Sequence, residues 1–128
     1  MQAKDEFDPI CGQGGTRARE VLDLVSDKWS LYVVAALGQG PLRFSQARRV
    51  VVGISQRMLT VTLRRLVRDG LVSRTVAPTV PPQVTYALTE TGESLRLAVQ
   101  PLIEWAFSNV DDIDTARADH DARVEGRT

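Results

Sequence analysis

The sequence predicts a mainly α-helical fold with a small β-hairpin, the architecture of a winged helix-turn-helix domain. Two amphipathic segments, residues 45–51 and 55–69, flank a tight turn, which is helix-turn-helix spacing. Beyond Gly70 the apolar period falls from the helical value to two, which is typical of strands. The 128 residues, 43% apolar and 25% charged, match the composition of one ordinary globular domain.

The N-terminal part of the chain predicts an arm followed by two helices. Residues 1–15 contain one proline, three glycines and no helical period, so we expect a flexible arm. From Thr16, a candidate N-cap, apolar residues recur at helical spacing. A second helix, Trp29 to Leu37, is joined to the first at Ser26-Asp27 and ends at Gly38.

The helix-turn-helix follows a chain break at Gly40-Pro41. Phe44 and Ser45 fit a hydrophobic residue and an N-cap that open a short helix to about Val51. Ser55 caps the next helix, which runs to Asp69 and stops at a glycine.

The C-terminal part predicts a hairpin and a long helix. Residues 71–76 and 84–88 alternate as strands around a proline-rich turn. Thr89 or Thr91 caps the last long helix, in which Pro101 should bend or divide the helix near residues 97–101.

The domain organisation follows from these elements. We expect the winged helix-turn-helix domain, with its terminal helices, to cover residues 16–110. Residues 111–128 form an acidic tail in which a short helix around 116–124 is expected.

Composition excludes several classes of function. A single cysteine, Cys11, and a single histidine, His120, rule out an intrachain disulfide and a zinc site with several such ligands. No nucleophile and base occur at a recognisable spacing, so neither an enzyme nor a cofactor or metal is expected. The longest apolar run, Leu31 to Leu37, is far shorter than the roughly 20 residues of a membrane span, and no signal-peptide profile precedes it. A cytoplasmic location and no membrane partner are therefore expected.

Charge is balanced overall but unevenly distributed. The chain has 16 basic and 16 acidic residues, yet between Leu42 and Arg74 eight arginines accompany one acid, Asp69, a net charge of +7. The planar guanidinium of arginine suits phosphates and guanine edges. A local charge of this size indicates a nucleic-acid partner.

The helix after Ser55 separates into two faces at about 100° per residue. The core face carries Leu59, Thr62, Leu63 and Leu66, and the opposite face carries Arg57, Arg64 and Arg68. An ordinary solvated helix mixes charge signs, whereas these arginines repel one another unless something negative binds them. Double-stranded DNA is the first candidate, and an acidic protein docked on the arginine face by a winged-helix interaction module is the alternative.

Several motifs together resemble the HxlR branch of the MarR-like winged helix-turn-helix transcription regulators of bacteria. They are residues 28–30 (KWS), 40–45 (GPLRFS), 53–60 (GISQRMLT), 63–66 (LRRL), 69–74 (DGLVSR), 80–86 (VPPQVTY) and 88–92 (LTETG). The resemblance implies a DNA-binding regulator, with repression as the expected outcome. It further implies a homodimer held by N- and C-terminal helices, a palindromic operator, a recognition helix over 55–69 and a wing over 71–88.

The expected DNA-binding residues come from the helix-turn-helix and the wing. They are Arg43, Ser45, Arg48, Arg49, Ser55, Gln56, Arg57, Thr60, Val61, Arg64, Arg65, Arg68, Arg74 and Pro81. Gln and Arg side chains bond adenine and guanine edges, and Thr and Val methyl groups contact the thymine methyl. Among the arginines, Arg48, Arg49 and Arg74 are expected on phosphates.

Two features are candidates for a signal that releases DNA. Cys11 corresponds to a cysteine through which some members of the family sense oxidants or electrophiles; the alternative is an inert thiol on a flexible arm. Four aromatic residues could line a pocket for a small aromatic effector at a subunit junction, although a core or interface role is the simpler interpretation. They are Trp29, Tyr32, Trp105 and Phe107.

Overall fold

The structure, a computed structural model, describes residues 15–126 and is mainly helical with one two-stranded antiparallel hairpin. The predicted fold class is confirmed. The elements in chain order are α1 (Thr16–Val25), α2 (Lys28–Leu37), α3 (Phe44–Val50), α4 (Gln56–Arg68), β1 (Val72–Ala77), β2 (Gln83–Leu88) and α5 (Glu90–Gly126). The chain forms two compact units, which divide between Arg96 and Leu97.

Polar caps fix where two of the helices begin. Asp27 precedes α2, and its carboxylate accepts a hydrogen bond from the Ser30 backbone N–H at 3.3 Å. Ser55 precedes α4, and its hydroxyl accepts from the Met58 N–H at 3.0 Å, which confirms the predicted cap. The recognition helix therefore starts at the residue that the sequence indicated.

Two other predicted caps are wrong, by one position for α1 and by two for α3. Helix α3 begins at Phe44, with Arg43 in the N-cap position, because the Gln46 side chain accepts a hydrogen bond from the Arg43 N–H at 2.9 Å. Ser45 is therefore inside the first turn. Helix α1 begins at Thr16 itself with Gly15 as its N-cap, a residue that this position tolerates.

The core lies between α2, α4 and the start of the hairpin. All four residues assigned to the core face of α4 are at most 1% exposed. The three leucines among them pack in one cluster with Val33, Val34 and Leu37 of α2, and with Val72 of β1. Since these contacts occupy one face of α4, its opposite face is held outward.

A third segment of the chain pairs with the hairpin, and the sequence did not indicate this pairing. In β1 and β2 the register places Val72 opposite Leu88 and Arg74 opposite Tyr86. On its other side Tyr86 exchanges two backbone hydrogen bonds with Leu42, of 2.9 and 2.8 Å. An isolated bridge has no alternating apolar pattern, so periodicity could not reveal it. The base of the wing is thereby fixed to the segment before α3.

The start of α5 is packed tightly against the hairpin. Of the two candidate caps the structure selects Thr89, whose hydroxyl accepts from the Gly92 N–H at 3.1 Å and donates to the Gly70 carbonyl. A Cβ on Gly92 would lie 1.9 Å from the Leu71 carbonyl oxygen. One turn later Arg96 hydrogen-bonds Glu93, which lowers the pKa of that carboxyl.

The expected division of the last helix does not occur. Helix α5 is continuous from Glu90 to Gly126, with Pro101 inside it. Residues 111–126 belong to this helix instead of forming a separate short one. A proline inside a helix removes one backbone hydrogen bond, whereas starting a second helix requires an unfavourable nucleation step. One continuous helix avoids that second nucleation. Within residues 15–126 no helix is long and apolar enough to span a membrane.

Candidate nucleic-acid interface

Seven exposed arginines, here called the arginine surface, lie on the helix-turn-helix and the base of the wing. They are Arg43, Arg48, Arg49, Arg57, Arg64, Arg68 and Arg74. Within residues 15–126 none of them forms an ion pair with an acidic side chain. Charges of one sign without internal partners attract a polyanion, so this surface is a candidate nucleic-acid interface.

Helix α4 supplies the centre of this surface. Arg57, Arg64 and Arg68 are exposed on the side opposite the buried leucines, as the sequence predicts. The core contacts hold α4 in place, so its arginines are presented by a rigid element. Val61 is 41% exposed beside them. The three arginine side chains of α4 therefore share one helix face, and none of them forms an ion pair with an acidic residue within residues 15–126.

Arg65 departs from the expected set. Its Nη1 lies 3.8 Å from Asp27 Oδ2, and both side chains are about one third exposed. Since Arg65 follows Arg64 by about 100° around the helix, it turns toward α2 and away from the arginine surface. Arg65 links the recognition helix to the capped start of α2. Sequence reasoning missed this pair because the two residues are far apart in the chain.

A groove runs between α4 and the wing. Its volume is about 370 Å³, and it is lined by Phe44, Thr60, Leu63, Arg64, Val67, Arg74 and Tyr86. We call it the wing groove. Two members of the arginine surface line it, and no acidic residue does. The sequence could not indicate the groove, because its lining depends on the register of the hairpin.

A second, more open groove lies on the other side of Phe44. Its volume is about 730 Å³, and it is lined by Phe44, Ser45, Arg48, Arg49 and Gln56. Here the last turn of α3 faces the first turn of α4. The predicted polar and basic residues of both helices are thus brought together.

The remaining candidates have distinct surroundings. The Thr60 hydroxyl donates to the Gln56 carbonyl at 2.9 Å, so its oxygen retains only accepting capacity toward a ligand. Pro81 is exposed at the tip of the wing, next to Val80, which is fully exposed. Thr79 donates its hydroxyl hydrogen to the Pro81 carbonyl at 2.8 Å.

The candidate effector residues fall into two groups. Trp29 and Tyr32 contact each other edge to face, with ring centroids 5.7 Å apart, and the Lys28 ammonium lies 4.9 Å from the Trp29 ring. Trp105 and Phe107 are 55% and 79% exposed on α5, in the other compact unit.

Two further expectations concern switching and metal binding. Cys11 lies outside the described residues. No group of histidine, cysteine and carboxylate side chains within residues 15–126 is arranged to hold a metal.

A leucine-supported helix that presents unpaired arginines beside a hairpin defines a winged helix-turn-helix DNA-binding domain. The family model for the HxlR-like helix-turn-helix matches residues 24–114, and the chain belongs to this family. It is a transcriptional regulator, in a family that is not enzymatic.

Named relatives agree with this assignment. The HTH-type transcriptional regulator YtfH of Escherichia coli is 38% identical over 100 residues, covering 78% of this chain and 79% of that protein. The structure of a transcriptional regulator ytfH from Salmonella typhimurium matches with a TM-score of 0.73 at 38% identity, over 79% of this chain and 90% of that one. The redox regulator HypR in its reduced form matches with a TM-score of 0.71 at 39% identity, over 78% and 99% respectively.

Proposed function

We propose that this regulator binds a palindromic DNA operator as a homodimer and represses transcription by occupying it. The observation that carries the proposal is the arginine surface, which has no acidic partner within residues 15–126 and has its centre on α4, a helix with a buried opposite face. The phosphates of an operator can neutralise the arginine surface, and its base edges can bind the side chains at the centre of that surface.

Base recognition is assigned to the N-terminal half of α4. In helix-turn-helix proteins the first turns of the second helix reach base edges in the major groove. Gln56 and Arg57 stand in the first turn, and Thr60 and Val61 follow in the next. Arg57 donates to guanine, and Thr60 and Val61 offer methyl groups to thymine. Arg48 and Arg49, at the end of α3, bind phosphates.

Dimerisation is assigned to exposed apolar residues on α1 and α5. Helix α1 buries none of its residues within one chain, and Val21 and Leu22 are each 46% exposed. Trp105 and Phe107 are more exposed still. A second copy that covers these side chains removes them from water and places two recognition helices about one DNA turn apart.

Release is assigned to oxidation or electrophile attack at Cys11. The support is the likeness to HypR, a protein named for redox regulation. Since the chain has one cysteine, a disulfide at Cys11 must form with the partner's Cys11 or with a small thiol. Cys11→Ser should keep operator binding under both peroxide and reductant, whereas the wild type loses it under peroxide. Loss of binding with an aromatic ligand alone would instead favour an effector pocket.

The primary experiment is fluorescence anisotropy with the DNA upstream of the chain's own gene and with a scrambled duplex of equal composition. We expect a preference of at least about 10³ for the operator and a steep loss of affinity with salt. Mass measurement of the complex should give two chains per operator. Equal affinity for both duplexes would contradict the proposal and favour an acidic protein partner.

A further inference from the structure

We infer that the wing groove is a seat for one DNA phosphodiester, held jointly by Arg64 from α4 and Arg74 from β1. The inference rests on the proposed DNA binding and refines it. It makes Arg64 a phosphate contact, although Arg64 shares a helix face with the base-reading Arg57.

The position of Arg74 is set by the hairpin. Val72 is 2% exposed and belongs to the core, and alternate strand residues point to the same side, so Arg74 is directed toward α4. Its cross-strand partner Tyr86 is fixed by the two backbone hydrogen bonds to Leu42. The guanidinium therefore extends from a braced part of the wing and not from its tip.

The position of Arg64 is set by the helix. Thr60, Arg64 and Val67 line the groove at intervals of four and three residues, which is one side of α4. Arg64 also lies about 12 Å along the axis from Gln56 at 1.5 Å per residue. The helix end that enters the major groove is the other one. Arg64 thus faces the wing, and Arg57 faces the bases.

The electrostatics of the groove call for an anion. Two guanidinium groups line one small cavity without an acidic residue among the lining side chains. Asp69, the one acid between Leu42 and Arg74, lines a different pocket, with Arg17 and Leu71. Phosphate oxygens accept two parallel N–H bonds from each guanidinium, which lowers the repulsion between the two arginines.

The size and apolar lining of the wing groove favour a sugar–phosphate unit of the DNA backbone over a base. A volume of about 370 Å³ is at the lower end of small-molecule sites. Phe44 and Val67 contribute apolar lining, against which a deoxyribose ring can pack. A sugar with its phosphate therefore matches both the apolar and the charged lining residues.

The test measures affinity for operator and scrambled duplex over a range of salt concentrations. Arg64→Ala and Arg74→Ala should each weaken binding about tenfold to both duplexes, so the operator preference is unchanged. Each should lower the slope of log K against log salt by about 1.8, because the homodimer loses one phosphate contact of about 0.9 in each half-site. Because both residues share that phosphate, the double variant should also lose about 1.8, not twice as much.

Arg68→Ala with Arg74→Ala is the matched control. Arg68 is exposed on the same helix face but does not line the groove, so the two slope changes should add. Arg64→Gln serves as a second variant that removes the charge but keeps a polar side chain, and thermal melting checks that each variant is folded. An operator with one methylphosphonate in place of the seated phosphate should bind the wild type more weakly than the unmodified operator does. Its affinity for the Arg64/Arg74 double variant should be the same as that of the unmodified operator.

Two outcomes overturn the inference. One is a selective loss of operator preference in Arg64→Ala, which would make Arg64 a base reader. The other is a slope change in the Arg64/Arg74 double variant equal to the sum of the single changes. A wild type without operator preference would instead refute the proposed function itself, so the two failures are distinguishable.

Discussion

The two compact units of the chain leave opposite kinds of surface without a partner. Among the described residues up to Arg96, twelve basic and six acidic side chains give a net charge of +6. From Leu97 to Gly126, two basic and seven acidic side chains give −5. The first unit buries its own leucine core and exposes arginines, whereas the second exposes Trp105 and Phe107.

This contrast indicates two different partners. Unpaired positive charge on a rigid scaffold is neutralised by a polyanion, and exposed aromatic rings are covered by apolar surface. The proposed DNA partner matches the arginines of the first unit, and the proposed second copy of the chain matches the exposed rings of the second unit together with the apolar residues of α1. Arginine substitutions in the first unit should therefore weaken DNA contacts directly, whereas substitutions of the exposed rings should change the oligomeric state and lower operator affinity through it.

The largest effect is expected from Trp105→Glu. A buried carboxylate would oppose dimerisation, and loss of the second half-site contact should lower operator affinity on the order of 10²–10⁴-fold. Sedimentation should report a monomer, and anisotropy should report the weaker binding. Thr115→Glu is the control, since it places the same charge about 80° around the helix from both Trp105 and Phe107. A dimeric Trp105→Glu protein would remove the distinction between the units.

Gly92→Ala should be the most destabilising change within the first unit. The added Cβ would lie 1.9 Å from the Leu71 carbonyl oxygen, so the backbone must shift. We expect a loss of about 3 kcal/mol in the free energy of unfolding, measured by denaturant titration.

Gly126→Ala, in the second unit, is the matched control. Nothing lies within 4 Å of the added methyl group, so stability should be unchanged or slightly raised. Equal stability of the two alanine variants would mean that α5 does not need its close approach to the hairpin.

Arg57→Ala should lower operator affinity by about 1–3 kcal/mol and relax discrimination at one base position. Arg117→Ala removes the same exposed side chain from the second unit and should leave binding unchanged. Competition with operators mutated one base pair at a time locates the affected position. A uniform loss over all of these operators would assign Arg57 to a phosphate.

Local patterns predicted most of the first unit. The core and arginine faces of α4 follow from helical periodicity, and the Ser55 cap follows from residue type, because both depend on neighbours within a few positions. The Arg65–Asp27 pair and the Leu42–Tyr86 bridge join distant segments, so no local pattern contains them. For the same reason the wing groove could not be predicted, although the residues around it could.

The second unit was predicted less well. A proline inside the helix and an acidic tail both suggested interruption, but a single lost hydrogen bond did not outweigh the continuity of α5. Its apolar residues point in several directions around the axis instead of following one face. Periodicity within one chain therefore carried less information there than in α4.

The smallest expected effect, at Thr62, separates stability from DNA binding within α4. The Thr62 side chain is fully buried, and its Oγ1 has no hydrogen-bond partner among the described residues. Thr62→Val keeps the shape and removes the unsatisfied hydroxyl, so the free energy of unfolding should rise by about 1 kcal/mol with operator affinity unchanged.

Thr60→Val, two positions earlier, should do the reverse. Its hydroxyl donates to the Gln56 carbonyl on the proposed DNA-facing side, and valine replaces that hydroxyl with a second methyl group. The substitution should therefore raise the preference for thymine at one position and leave stability nearly constant. The two variants make the same chemical change on opposite faces of one helix. If both altered the same quantity, the division of α4 into a core face and a reading face would be wrong.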